Sequence, residues 1–131
     1  MSLPLPDDSC QGPEIELPPV PQAPGRARAF VRRHLTELGF PKLVDDAMLI
    51  AVEIVTNAVR EAPAGPVSLS LRLTAAGPVI EVRDCSPVLP EFKEPDFVSE
   101  TGRGLHIVGE LAAELGWHRI GRGKVVWAVL G

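Results

Sequence analysis

Glu53 and Asn57 stand four residues apart in AMLIAVEIVTNAV, residues 47–59, a segment whose only charge is Glu53. That spacing puts both side chains on one face of a helix, one turn apart. An ionised carboxylate in so apolar a setting is costly unless it is paired, solvated by a cavity or retained for chemistry. Arg60 continues the stripe three residues beyond Asn57, and Asp46 begins it seven residues before Glu53. Alone, the stripe reads equally well as a solvated helix face on which Glu53 reaches water past small neighbours.

Two further groups break the apolar pattern. In Val79 to Asp84, the side chains of Ile80, Val82 and Asp84 share one face of a strand, with Glu81 and Arg83 on the other. Asp84 therefore ends an apolar face at the lip of the core, where a carboxylate can accept a hydrogen bond from an amino group on a planar ligand. The alternative is a capping Asp that opens the turn into Cys85-Ser86-Pro87. Further on, Thr101-Gly102-Arg103-Gly104-Leu105 stands at the entrance to a helix. Two glycines astride an arginine let backbone N–H groups converge on an anion at a helix N-terminus, and Arg103 can add a charge-assisted contact. The alternative there is a hinge; an isolated Gly-x-Gly is neither a P-loop nor a dinucleotide fingerprint. Combined, the groups describe one nucleotide site. An acid and an amide organise a base and a magnesium ion, a strand-end Asp reads an adenine amino group, and a glycine-rich helix start holds phosphates.

The elements that must position these residues are legible from periodicity. Proline punctuates Met1 to Pro24, so a flexible tail over residues 1–13 and an extended approach are expected, with Glu14-Ile15-Glu16-Leu17 as a short edge strand. Ala27, Val31, His34, Leu35 and Leu38 fall at helical spacing before a stop at Gly39. A second helix is expected from Leu43 to Ala62, buried on most sides because it is apolar nearly all round. Val67, Leu69, Leu71 and Leu73 alternate with polar residues, the pattern of a sheet with one wet face. A turn at Ala75-Ala76-Gly77-Pro78 leads into the strand ending at Asp84. Ser86 to Glu100, a proline-bearing stretch of about 15 residues, reads as an active-site lid. Leu105, Val108, Leu111, Ala112 and Leu115 mark a third helix ended by Gly116, and strands over Trp117 to Ile120 and Val125 to Leu130 form a closing hairpin. Strands grouped in hairpins with three helices imply an α+β fold, a mostly antiparallel sheet covered on one face by helices. Residues 14–131 form the expected domain.

Composition narrows the function. A chain of 131 residues suits one domain, and a formal net charge of -4 disfavours a general nucleic-acid binder, which needs surplus Lys and Arg. No apolar run approaches the roughly 20 residues that span a bilayer, and the N-terminus lacks the pattern of a signal peptide. Cys10 and Cys85 belong to no CxxC pair or Cys/His cluster, which argues for reduced thiols, a cytoplasmic setting and no zinc site.

The same residues, in the same order, resemble the GHKL ATPase superfamily, and within it the small bacterial anti-sigma-factor serine/threonine kinases. Residues Glu53-Ile54-Val55-Thr56-Asn57-Ala58-Val59-Arg60 resemble the family's N box, and Val82-Arg83-Asp84-Cys85-Ser86-Pro87 its first adenine-binding box. Gly102-Arg103-Gly104-Leu105 resembles the second glycine box, and Gly123-Lys124-Val125-Val126-Trp127 the closing hairpin. The resemblance implies a two-layer Bergerat-type sandwich with a mixed sheet and ATP between the layers. It further implies that Asn57 coordinates magnesium, that Asp84 accepts the adenine N6 hydrogen bond and that Glu53 is the general base. Arg60, Ser86, Gly102, Arg103, Gly104, Leu105 and Lys124 are then nucleotide-binding positions. Its implied partners are a sigma factor and an anti-sigma antagonist, with pairing of two copies through a sheet edge as a further option. The chain departs from the pattern at Glu61, where related sequences often carry a histidine, and after Asp84, where the first box lacks its glycine.

Two functions compete. One is an ATP-dependent protein serine kinase; the other is a nucleotide-holding module that acts only by sequestering a partner. Glu53 separates them, since a pure binder has no need of a base in an apolar helix. A histidine-kinase catalytic domain is a third reading, against which His34 stands on an apolar stripe and no dimerisation hairpin precedes it. The basic cluster Arg26, Arg28, Arg32 and Arg33 is a solvated helix face or a docking face for an acidic partner.

Overall fold

The computed structural model describes residues 12–61, 65–86 and 108–131. Most of the expected tail, Cys10, most of the lid, and the Gly102-Arg103-Gly104-Leu105 turn lie outside the described residues.

Strand β1 (Glu14–Leu17) leads to helix α1 (Ala23–Glu37), a 3-10 turn (Pro41–Leu43) and helix α2 (Val44–Glu61). Strands β2 (Val67–Thr74) and β3 (Gly77–Asp84) follow, then β4 (Glu114–Ile120) and β5 (Gly123–Val129). The sheet order is β1-β2-β3-β5-β4. Among the described residues every pairing is antiparallel, where a mixed sheet was expected. β1 is an edge strand, and the turn after β2 and the closing hairpin follow the sequence pattern.

Helices α1 and α2 and the helical residues 108–111 pack on one face of the sheet. Ala27, Val31 and Leu35 of α1, Ile50, Ile54 and Val55 of α2, Val108, and Leu69, Leu71, Ile80 and Val82 of the sheet share one core. Pro24 is tolerated because it falls in the first turn of α1, where its missing N–H has no intrahelical partner. The far end of α1 closes at Gly39, whose φ of 91° places it in the left-handed region. Phe40 N–H donates to the Leu35 carbonyl at 3.0 Å and Gly39 N–H to that of Thr36 at 3.1 Å, which satisfies two terminal carbonyls in a Schellman motif. Asp45 and Asp46 stand in the first turn of α2, where carboxylates complement the helix dipole.

Three expectations are corrected. The third helix does not reach Leu115 and Gly116, which belong to β4. Leu111 to Leu115 has helical spacing, but Leu115 and Trp117 both join the helix-side core by strand alternation, paired with Ala128 and Val126. Cross-strand pairing overrides the local period. Nor is α2 buried on most sides: Leu49 is 42% exposed, because α1 and the sheet cover only a broad stripe. His34 is half-buried rather than core, with its ring 4.5 Å from that of Phe30, and Leu38 is exposed. The opposite sheet face carries its own apolar cluster, Val79, Val125, Trp127 and Val129, so β5 is buried on both faces.

Candidate functional site

Strand parity brings Ile80, Val82 and Asp84 to the helix side, and Asp84 is 3% exposed at the end of β3. Its backbone partner across the ladder is Lys124 on β5. Parity on β5 sends Lys124, Val126 and Ala128 to the same side, and Lys124 is 2% exposed. The Lys124 ammonium donates to Asp84 Oδ1 at 3.2 Å and sits 2.9 Å from Oδ2. It also donates to Glu61 Oε2, at 3.3 Å, in the last turn of α2. The Ser86 N–H donates to Asp84 Oδ1 at 2.8 Å, closing the local turn that a strand-end Asp favours. Asp84 is thus both the turn-forming Asp and the carboxylate at the lip of the core.

Gly123 makes the close approach of β5 to this strand end possible. A Cβ there would overlap the Asp84 carbonyl oxygen, with the carbonyl carbon only 3.0 Å away. Gly123→Ala is therefore expected to displace the end of β3 and lower stability by roughly 1–3 kcal/mol. A denaturant midpoint within error of wild type would show that the strand end yields freely.

Asn57 faces this cluster from α2. A narrow pocket between α2 and the sheet is lined by Ile54, Asn57, Ala58, Glu61, Val82, Asp84, Lys124 and Val126. Its enclosed space is about 10 Å³, room for roughly one water. The Asn57 Nδ2 is buried with no hydrogen-bond partner among the described residues, an unusual state for an amide donor. An unsatisfied donor on a residue that lines a seam beside a buried carboxylate fits a ligand carrying acceptor oxygens at one end and an amino group at the other. Among the described residues no cluster of His, Cys, Asp or Glu could hold a metal alone. Magnesium in general keeps few protein ligands and takes the rest from phosphates and water. Asn57 can offer its carbonyl oxygen to such an ion by turning its amide.

The other expected site residues fall less centrally. Glu53 is half-buried and Arg60 exposed on α2, and neither lines the pocket. Ser86 is buried, 2% exposed, and bound to Asp84 through its backbone. Sequence reasoning did not place Glu61 beside Lys124, nor name Ile54, Ala58, Val82 and Val126 as pocket walls. The available signal was the lone charge of Lys124 in an otherwise apolar strand. Arg26, Arg28, Arg32 and Arg33 are all exposed along α1, with Arg33 paired to Glu37 at 3.3 Å.

An antiparallel sheet backed by helices, with an acid and an amide facing each other across the seam, has the architecture of a two-layer ATPase domain. The family model of the histidine kinase-like ATPase domain matches residues 17–130. The chain belongs to that family. The match takes in every expected site residue and supports ATP binding; no curated protein matches the chain. Among the described residues no helix is long and apolar enough to cross a membrane.

Proposed function

We propose that this chain binds ATP with magnesium in the seam between α2 and the β3–β5 ladder, and acts as an anti-sigma regulator of the protein serine kinase type. The observation that carries the reading is the buried Asp84 carboxylate beside Asn57, whose Nδ2 has no partner among the described residues, in an apolar slot of Ile54, Ala58, Val82 and Val126. In this reading Asp84 accepts a hydrogen bond from the adenine amino group, and the apolar walls flank the ring. Asn57 would hold the magnesium through its amide oxygen, and the ion would offset the charge of the phosphate oxygens. Gly102, Arg103, Gly104 and Leu105 supply phosphate contacts. Glu53 takes the proton from a serine hydroxyl of the antagonist as its oxygen bonds to the γ-phosphorus and the bond to the β-phosphate oxygen breaks, releasing ADP. The antagonist and a sigma factor are the proposed partners.

One observation favours the second reading, partner sequestration without transfer. Glu53 stands outside the pocket that holds Asn57 and Asp84. Binding and transfer are tested separately. ATP affinity with and without magnesium is expected to fall at least tenfold in Asp84→Asn, given about 1.5–3 kcal/mol for a hydrogen bond to a charged group. Undetectable binding by both the wild type and Lys124→Met would end the nucleotide reading. Labelled ATP incubated with an antagonist decides transfer: equal labelling by wild type and Glu53→Ala leaves only the sequestration reading.

A further inference from the structure

We infer that Lys124 gates the base end of the pocket by occupying Asp84 itself, with Glu61 as the alternative partner to which its ammonium withdraws. The inference rests on the nucleotide reading above and adds a residue that governs access to it. A carboxylate offers about four lone-pair positions. On Asp84, Ser86 N–H takes one at 2.8 Å, and the Lys124 ammonium lies against both oxygens, at 3.2 and 2.9 Å. Both side chains are almost wholly enclosed, at 3% for Lys124 and 1% for Asp84. An incoming amino group must therefore compete for the same oxygens with a charged donor, whose hydrogen bonds are roughly twice as strong as neutral ones. The pocket lined in part by the ion pair encloses only about 10 Å³, room for roughly one water and not for a planar ring.

A buried ammonium released without a partner would be strongly disfavoured. Glu61 removes that obstacle. Its Oε2 already lies 3.3 Å from the same nitrogen, and its side chain, 29% exposed, stands at the rim where α2 ends. Lys124 can thus leave Asp84 and keep a carboxylate, and the freed Asp84 accepts the ligand's donor. The bond to Glu61 is already in place, so it lowers the cost of leaving Asp84 without cancelling it, and ligand binding must supply the remainder.

A gate and a direct phosphate ligand make opposite predictions. If Lys124 blocks Asp84, Lys124→Met binds ADP about tenfold or more tightly than wild type, and adenosine, which has no phosphate, gains by a similar factor. Glu61→Gln then weakens both roughly severalfold, because Lys124 is left with Asp84 alone. If Lys124 instead serves the phosphates, Lys124→Met weakens ADP, and Glu61→Gln tightens it by freeing the ammonium. The measurement is calorimetric titration of the full chain with ADP and with adenosine, after circular dichroism has verified folding. Unchanged or weaker ADP binding by Lys124→Met overturns the gate while leaving the nucleotide reading intact. No binding by wild type or by either variant overturns both. Should Lys124→Met fail to fold, Glu61→Gln decides alone: weaker ADP binding supports the gate, and unchanged or tighter binding overturns it.

Discussion

Asp84→Ala is expected to lower the free energy of unfolding by about 3–5 kcal/mol, the usual consequence of stripping one partner from a buried ion pair. The loss comes from what remains. Lys124, with a side chain 3% exposed, keeps only Glu61 at 3.3 Å among the described residues, and Ser86 N–H loses the Asp84 carboxylate. Replacing both charges, Asp84→Leu with Lys124→Met, is expected to recover most of that loss, because packed apolar groups of similar size replace the pair without desolvating charge. The contrast on the same molecule is Arg33→Ala, which breaks a pair whose side chains are 74% and 58% exposed, and whose effect is expected to stay below about 0.5 kcal/mol. Urea midpoints for the four proteins settle the ordering. An Asp84→Ala midpoint no lower than that of Arg33→Ala would show that water reaches Lys124 readily.

The same cluster shows what the sequence carried and what it did not. Asp84 was legible because strand parity is a local rule: Ile80 and Val82 fix the face and Asp84 inherits it. The helical spacing of Asn57 to Glu53 did not carry Glu53 into the pocket that Asn57 lines. Lys124 beside Asp84 depends on the register of β3 against β5, in which Asp84 faces Lys124, and no periodicity within either strand states that register. Glu61 depends on how α2 is docked, which is a tertiary fact of the same kind. Elements whose period agreed with their packing were placed well, as with β2, β3 and the Gly39 stop. Leu115 was misplaced because Leu111, Ala112 and Leu115 satisfy a helical spacing while Leu115 and Trp117 also satisfy a strand's. Pairing with β5 decides between them. The apolar cluster of Val79, Val125, Trp127 and Val129 on the face away from the helices explains why β5 reads as a continuous apolar run and not as an alternation.

Helix α2 offers the second large effect. Ile54 is 2% exposed, packs in the main core and lines the pocket. Ile54→Ala removes buried methyl and methylene groups and leaves a cavity against the sheet, so a loss of about 2–4 kcal/mol is expected. The higher helix propensity of alanine returns only a few tenths of that. Leu49 lies on the same helix and is 42% exposed. Leu49→Ala is therefore expected to stay within about 1 kcal/mol of wild type, since much of its side chain is already in water. The comparison tests the correction made to α2, whose apolar residues run nearly all round while its burial is one-sided. If Leu49→Ala proved as damaging as Ile54→Ala, a second layer would have to cover Leu49 when the protein is free in solution. A small Leu49 effect beside a large Ile54 effect leaves the exposed apolar side of α2 open to a partner and confines stability to the face that builds the pocket.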